Sequence, residues 1–148
     1  MATEHGHFIN GKRVAGESGR FGDVFNPTTG EKQGMVSLAA RAEVARAIDA
    51  AEKAFPAWAS TNPQRRARVM FKFKELVEKD MDNLAKLISS EHGKILPDAR
   101  GDVQRGLDVI EFACGIPHLQ KGEYTEAAGP GIDIYSMRQP LGVVAGIT

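Results

Sequence analysis

The residues just before the last one constrain this chain more than anything ahead of them. Leu141-Gly142-Val143-Val144-Ala145-Gly146-Ile147 runs apolar without alternation, the pattern of a strand buried on both faces of a parallel sheet. Such a strand needs neighbours at both edges and helices over both faces. Parallel neighbours also need crossover connections of roughly a dozen residues or more. The sequence ends at Thr148 and supplies neither after this run. The expectation is that a partner or, the reading preferred here, further polypeptide completes the sheet.

The bulk properties exclude several classes. The chain has 148 residues, a length that suits one domain, with 19 basic and 19 acidic side chains. A balanced charge offers no net field to steer it to nucleic acid or an anionic bilayer, so neither is expected as a partner. One cysteine, Cys114, rules out an internal disulfide framework and a Cys-based zinc cluster. No run approaches the roughly 18–20 apolar residues that span a membrane. The opening residues lack the apolar core of a signal peptide and the Arg-rich pattern of a transit peptide, so the expected address is cytoplasmic.

Hydrophobic period divides the rest into three zones. Residues 7–38 read as strands and turns. Asn10-Gly11 lies between short apolar runs and suits a type I′ hairpin. Asn26-Pro27-Thr28-Thr29-Gly30 marks a second reversal. Residues 41–121 are helical. Val44, Ile48, Ala51 and Phe55 share one face. Ala40 provides no capping side chain at the start, and Pro56 is expected to end or kink this helix. Asn62-Pro63 is a strong helix start. The stripe Val69, Met70, Phe73, Leu76, Val77, Met81, Leu84, Leu87, Ile88 then reads as one helix closing at Gly93. A last helix begins near Pro97, with Val103, Leu107, Ile110 and Cys114 on one face. Residues 123–148 return to strands, where Ile132 and Ile134 alternate with Asp133 and Tyr135 as on a sheet with one wet face.

Few residues could carry chemistry. Arg105 lies opposite the apolar stripe of the last helix, beside Gly101, Val109 and Phe112, a second face expected to be covered as well. Gly101 leaves room for a ligand, and the planar guanidinium fork matches a carboxylate. Against this, Arg105 could be a surface residue or pair with Asp102 or Asp108. Cys114 sits on the apolar stripe without an evident base and reads as a buried thiol rather than a nucleophile. His5 and His7 could chelate a metal only with further ligands, in a terminus expected to be mobile. The basic stretch Arg65 to Lys74 faces Glu75, Glu78 and Asp80 downstream and reads as a solvated helix face. No dinucleotide-binding, P-loop, zinc-protease or serine-hydrolase motif occurs. The end of the terminal run, Ile147 and Thr148, is where open α/β sheets bind nucleotides.

In order, Phe8-Ile9-Asn10-Gly11-Lys12, Phe25-Asn26-Pro27-Thr28-Thr29-Gly30-Glu31, Ala50 through Trp58, and Glu91-His92-Gly93-Lys94 resemble the amino-terminal portion of the aldehyde dehydrogenase superfamily. Gly101 through Leu107, followed by Glu111-Phe112-Ala113-Cys114-Gly115, is similar to its CoA-acylating methylmalonate-semialdehyde branch. The resemblance implies an α/β fold: β-hairpins, a helical region, oligomerisation-type strands and the first Rossmann strand. On it, residues 1–122 belong to the cofactor-binding domain, 123–140 to oligomerisation strands, and 141–148 to the truncated Rossmann unit.

The resemblance further implies an enzyme that oxidises malonate or methylmalonate semialdehyde with NAD through a cysteine thiohemiacetal. The acyl-enzyme loses CO2 and CoA accepts the acyl group, within a homodimer or homotetramer. Arg105 then matches the family's substrate-carboxylate arginine, and Ile147 with Thr148 its strand-end contact to NAD. The oxyanion asparagine, nucleophilic cysteine and carboxylate base have no counterpart here. Catalytic residues are therefore expected to be none in this chain, and the chain alone to be inactive. Cys114 does not match the nucleophile. Two rival readings are a non-enzymatic assembly module that completes its sheet with a partner and a cysteine-based redox protein.

Overall fold

The computed structural model describes residues 3–148. Strands β1 (Thr3–His5), β2 (His7–Ile9), β3 (Lys12–Val14), β4 (Phe21–Phe25) and β5 (Lys32–Ser37) come first. Helices α1 (Arg41–Ser60), α2 (Pro63–Lys79), α3 (Met81–His92), α4 (Leu96–Cys114) and the short α5 (Ile116–Leu119) follow. A hairpin, β6 (Tyr124–Gly129) and β7 (Ile132–Tyr135), comes after them.

The two sequence-marked reversals form as expected. Asn10 and Gly11 adopt φ of 52° and 75°, and β2 pairs antiparallel with β3. The Asn26 side chain accepts the Thr28 and Thr29 N–H groups at 2.9 and 3.2 Å, and the chain returns as β5 beside β4. Beyond that pairing, β1 adds in parallel to the other edge of β5, giving the order β1-β5-β4. The terminus from Thr3 is thus a strand, which corrects the expectation of mobility. Gly34 permits this approach: a Cβ there would lie 2.7 Å from the Thr3 carbonyl oxygen.

Two helical expectations need correction, and of the two outcomes offered for Pro56, ending or kinking the helix, the first is ruled out. Pro56 does not end α1, which runs on to Ser60. The proline removes one N–H, the one that would have served the Glu52 carbonyl, and both neighbouring turns keep their helical geometry around it. The stripe from Val69 to Ile88 is two helices, because Asp80 leaves helical geometry at φ −103°, ψ 12° between α2 and α3. The apolar period continues across that break, so period alone could not reveal it. Finally, the second face of α4 is uncovered: Val109 and Phe112 are two-thirds exposed.

The core lies where α4 packs between α2 and α3. Ala67, Ala85, Ala99, Val103, Leu107 and Cys114 are buried there. Small side chains let the helix axes approach, and what is excluded from water is correspondingly thin. On β6–β7, Ile132 and Ile134 are exposed, so neither face of this hairpin is dry within the chain. Its ladder is irregular between Thr125 and Gly129. There Asp133 accepts the Ala127 N–H through Oδ1 and the Tyr124 hydroxyl through Oδ2, both at 2.9 Å.

The terminal run is the largest departure. Residues 136–148 have no regular secondary structure, and Leu141, Val144 and Ile147 are largely exposed. A strand exists only with a hydrogen-bonded neighbour, and among the described residues none pairs with this run. The apolar pattern is present; the sheet it suits is not.

Candidate functional site

The chemistry-bearing residues gather at the junction of α3 and α4. The end of α3 is set by Gly93, in the left-handed conformation at φ 83°, whose N–H donates to the Ser89 carbonyl. The next residue, Lys94, has its carbonyl held by Ser89 Oγ at 2.7 Å. Pro97 occupies the first turn of α4, where its missing N–H costs nothing. Asp102 and Arg105 then follow one turn apart on α4.

Arg105 lies on the helix surface with 77% of its side chain exposed. Its Nη1 donates to Asp102 Oδ1 at 2.7 Å, one of the two pairings the sequence allowed. The other Asp102 oxygen, Oδ2, accepts from Lys94 Nζ. The Asp102 carboxyl is held below the usual carboxylate range. The Lys94 hydrogen bond is the main cause, opposed by partial burial and reinforced by the charges of Lys94, Arg105 and His92. The space beside the guanidinium is open: a Cβ on Gly101 would find only Arg105 Nη1, 4.0 Å away. Among the described residues the guanidinium has one N–H committed, to Asp102, and the remainder of its fork without a protein partner.

Ile147 and Thr148 are both exposed, Ile147 fully. Among the described residues no hydrogen bond or ion pair joins them to Arg105. Cys114 is 6% exposed in the helical core, as expected for an inert thiol. Among the described residues no group of three or more His, Cys, Asp and Glu side chains converges on a metal site. His7 instead places Nε2 3.6 Å from Glu43 Oε1. The basic stretch is partly neutralised on its own helix, Lys72 by Glu75 and Lys74 by Glu78. No helix among the described residues is long and apolar enough to cross a membrane.

Sequence reasoning missed the role of Lys94. It lay inside a recognised segment, but its partner is eight residues away across a helix junction. The available signal was Gly93, which as a C-cap must turn the following residue back toward the next helix.

Strands, helix order and the α3–α4 junction together define a class of protein. The aldehyde dehydrogenase family model matches residues 14–148, and the chain belongs to that family. Within it, the chain is 52% identical over 148 residues to the malonate-semialdehyde dehydrogenase of Pseudomonas aeruginosa, covering 100% of this chain and 29% of that protein. It is 44% identical over 140 residues to the human mitochondrial acylating methylmalonate-semialdehyde/malonate-semialdehyde dehydrogenase, covering 95% of this chain and 26% of that one.

Among solved structures, a Sinorhizobium meliloti protein assigned as a methylmalonate-semialdehyde dehydrogenase, in complex with NAD, superposes with a TM-score of 0.91 at 60% identity. It covers 96% of this chain and 29% of that one. The methylmalonate-semialdehyde dehydrogenase of Oceanimonas doudoroffii superposes at 0.89 with 51% identity, over 95% and 28%. The chain thus spans under a third of the length of these relatives. Family membership favours the enzyme reading over both rivals.

Proposed function

We propose that this chain is the amino-terminal segment of an NAD-dependent, CoA-acylating dehydrogenase of malonate or methylmalonate semialdehyde. The reading rests on similarity over 148 residues to a protein named as a malonate-semialdehyde dehydrogenase and over 140 residues to one named as an acylating methylmalonate-semialdehyde/malonate-semialdehyde dehydrogenase. The whole enzyme would convert the semialdehyde, NAD and CoA into acetyl-CoA or propionyl-CoA, CO2 and NADH. The proposed division is residues 1–122 with the cofactor domain, 123–140 in subunit assembly as a homodimer or homotetramer, and 141–148 in the nucleotide-binding sheet. The proposed location is cytoplasmic, whereas the human relative is mitochondrial by name.

Arg105 is the substrate-carboxylate residue in this proposal. Its planar fork takes two carboxylate oxygens side by side, fixing the aldehyde end of a short anionic substrate relative to the nucleophile. The same contact discriminates against neutral aldehydes, which leave the guanidinium without its anion. NAD, when bound, accepts the hydride of the aldehyde carbon. Ile147 and Thr148 suit one edge of its site, as an apolar side chain and a hydroxyl that are both accessible.

The test is Arg105→Leu in the full-length enzyme carrying this segment. Loss of one desolvated charge-assisted contact is worth about 1.5–3 kcal/mol, so kcat/KM for the semialdehyde should fall roughly 10- to 150-fold with NAD binding little changed. An unchanged kcat/KM would return Arg105 to the ordinary surface.

A further inference from the structure

Asp102 holds two cations at once, and they come from different parts of the fold. Arg105 folds back along α4, as long helical side chains do, and places Nη1 on Oδ1. Lys94 reaches Oδ2 from the α3–α4 junction, where Gly93 and the Ser89–Lys94 hydrogen bond fix its backbone. Lys94 and Asp102 are both partly buried, whereas Arg105 is mostly exposed. Two cations around one carboxylate leave a single net positive charge, carried on the member that faces solvent. Without Lys94, Asp102 would cancel the charge of Arg105. Without Asp102, no other hydrogen bond among the described residues would tether the guanidinium beside Gly101.

We infer that Lys94 and Asp102 are positioning residues for carboxylate recognition: Asp102 aims the Arg105 guanidinium, and Lys94 neutralises Asp102 so that Arg105 keeps its charge for the substrate. This rests on Arg105 being the substrate-carboxylate residue. The low-lying Asp102 carboxyl agrees with it, since the acid stays ionised between its two partners at neutral pH. The electrostatics give the two residues opposite signatures. Removing the lysine charge weakens the attraction for an anion. Removing the aspartate charge strengthens attraction while releasing the guanidinium from its geometry.

The experiment uses the full-length enzyme, with malonate semialdehyde and neutral propanal as substrates and thermal melting of each variant. Lys94→Met should raise KM for the semialdehyde about three- to fivefold. Asp102→Asn should lower its kcat by a similar factor without raising KM. Propanal kinetics should stay within about twofold for both, and Lys94→Arg should match the wild type. Should Asp102→Asn fail to fold, the contrast between Lys94→Met and Lys94→Arg decides the matter. The inference is overturned if Lys94→Met and Asp102→Asn move KM in the same direction, if propanal is affected as strongly as the semialdehyde, or if Lys94→Arg behaves like Lys94→Met. Arg105→Leu separates the two levels. If it leaves the semialdehyde kcat/KM unchanged, the underlying reading has failed. If it lowers kcat/KM while Lys94→Met and Asp102→Asn do nothing, only the positioning role has.

Discussion

Glu43 closes the first turn of α1 from inside the helix, its Oε2 accepting the N–H of Ala40 at 2.7 Å. Ala40 brings no acceptor of its own, so only the glutamate half of a capping box operates. The other oxygen, Oε1, accepts the Glu17 N–H at 2.8 Å and ties the loop before β4 to the helix. Glu43 is 3% exposed. Its carboxyl is held below the usual range by the Ala40 and Glu17 amides, with smaller help from His7 and Arg46 and against the cost of burial.

A pH dependence follows from that depression. A carboxyl whose folded pKa lies below its unfolded value stabilises the fold fully above the unfolded value, and the contribution fades as pH falls through the folded one. Amide hydrogen exchange at Ala40 and Glu17 should therefore be slow at neutral pH and lose protection below the ordinary glutamate range. In Glu43→Gln both amides should exchange faster at neutral pH, with little further change on acidification. Equal protection in the two proteins at pH 7 would remove the cap from the account.

Gly93 is the hinge on which the Lys94–Asp102 contact depends. Its φ of 83° excludes a comfortable side chain, and a Cβ would stand 3.2 Å from Pro27 Cγ. Gly93→Ala should cost about 1–2 kcal/mol from the left-handed backbone alone, with more if the Asn26–Gly30 turn cannot yield. Urea unfolding measures this, and a midpoint equal to the wild type would show that the junction relaxes freely.

Cys114 should behave as a core atom. In the native protein, peptide mapping after iodoacetamide treatment should find it unmodified, with labelling only once urea unfolds the chain. Cys114→Ala should leave kcat within about twofold in the full-length enzyme. Rapid native labelling or abolished turnover would reopen the redox reading.

Val144 offers a test of the missing sheet. In the 148-residue chain this side chain is 76% exposed, so Val144→Asp should change the melting temperature little. In the full-length enzyme the same substitution would bury an unpaired charge between helices and sheet, a cost of several kcal/mol that should abolish soluble, folded protein. Equal tolerance in both would count against a buried central strand.

Much of the local architecture was legible in the residues. Asn10-Gly11, Asn26 through Gly30, Asn62-Pro63 and Gly93 each carry their instruction within a few positions, and each does in the fold what that chemistry requires. The α4 stripe showed which face would be buried, and Cys114 went with it. Other features were hidden because their causes are not periodic. The break at Asp80 leaves the apolar repeat intact. Pro56 lies inside α1, where the local signal alone would have ended or bent the helix.

Within the candidate site, Arg105 was legible by residue type and by Gly101 one turn before it. Its state was not: Asp102 and Asp108 stood equally near in sequence, and only the folded helix places Nη1 on Asp102.

By itself the sequence determined the turns, the Asn62 and Gly93 caps, the buried face of α4 and the apolar character of the terminal run, because these depend on interactions among residues a few positions apart. The tertiary structure alone decided that β1 joins β5, that Glu43 binds the amide of Glu17, and that Lys94 shares Asp102 with Arg105. Those pairings arise once distant or separately mobile groups are held in one place, where the entropy of bringing them together has already been met by the packing of the elements that carry them.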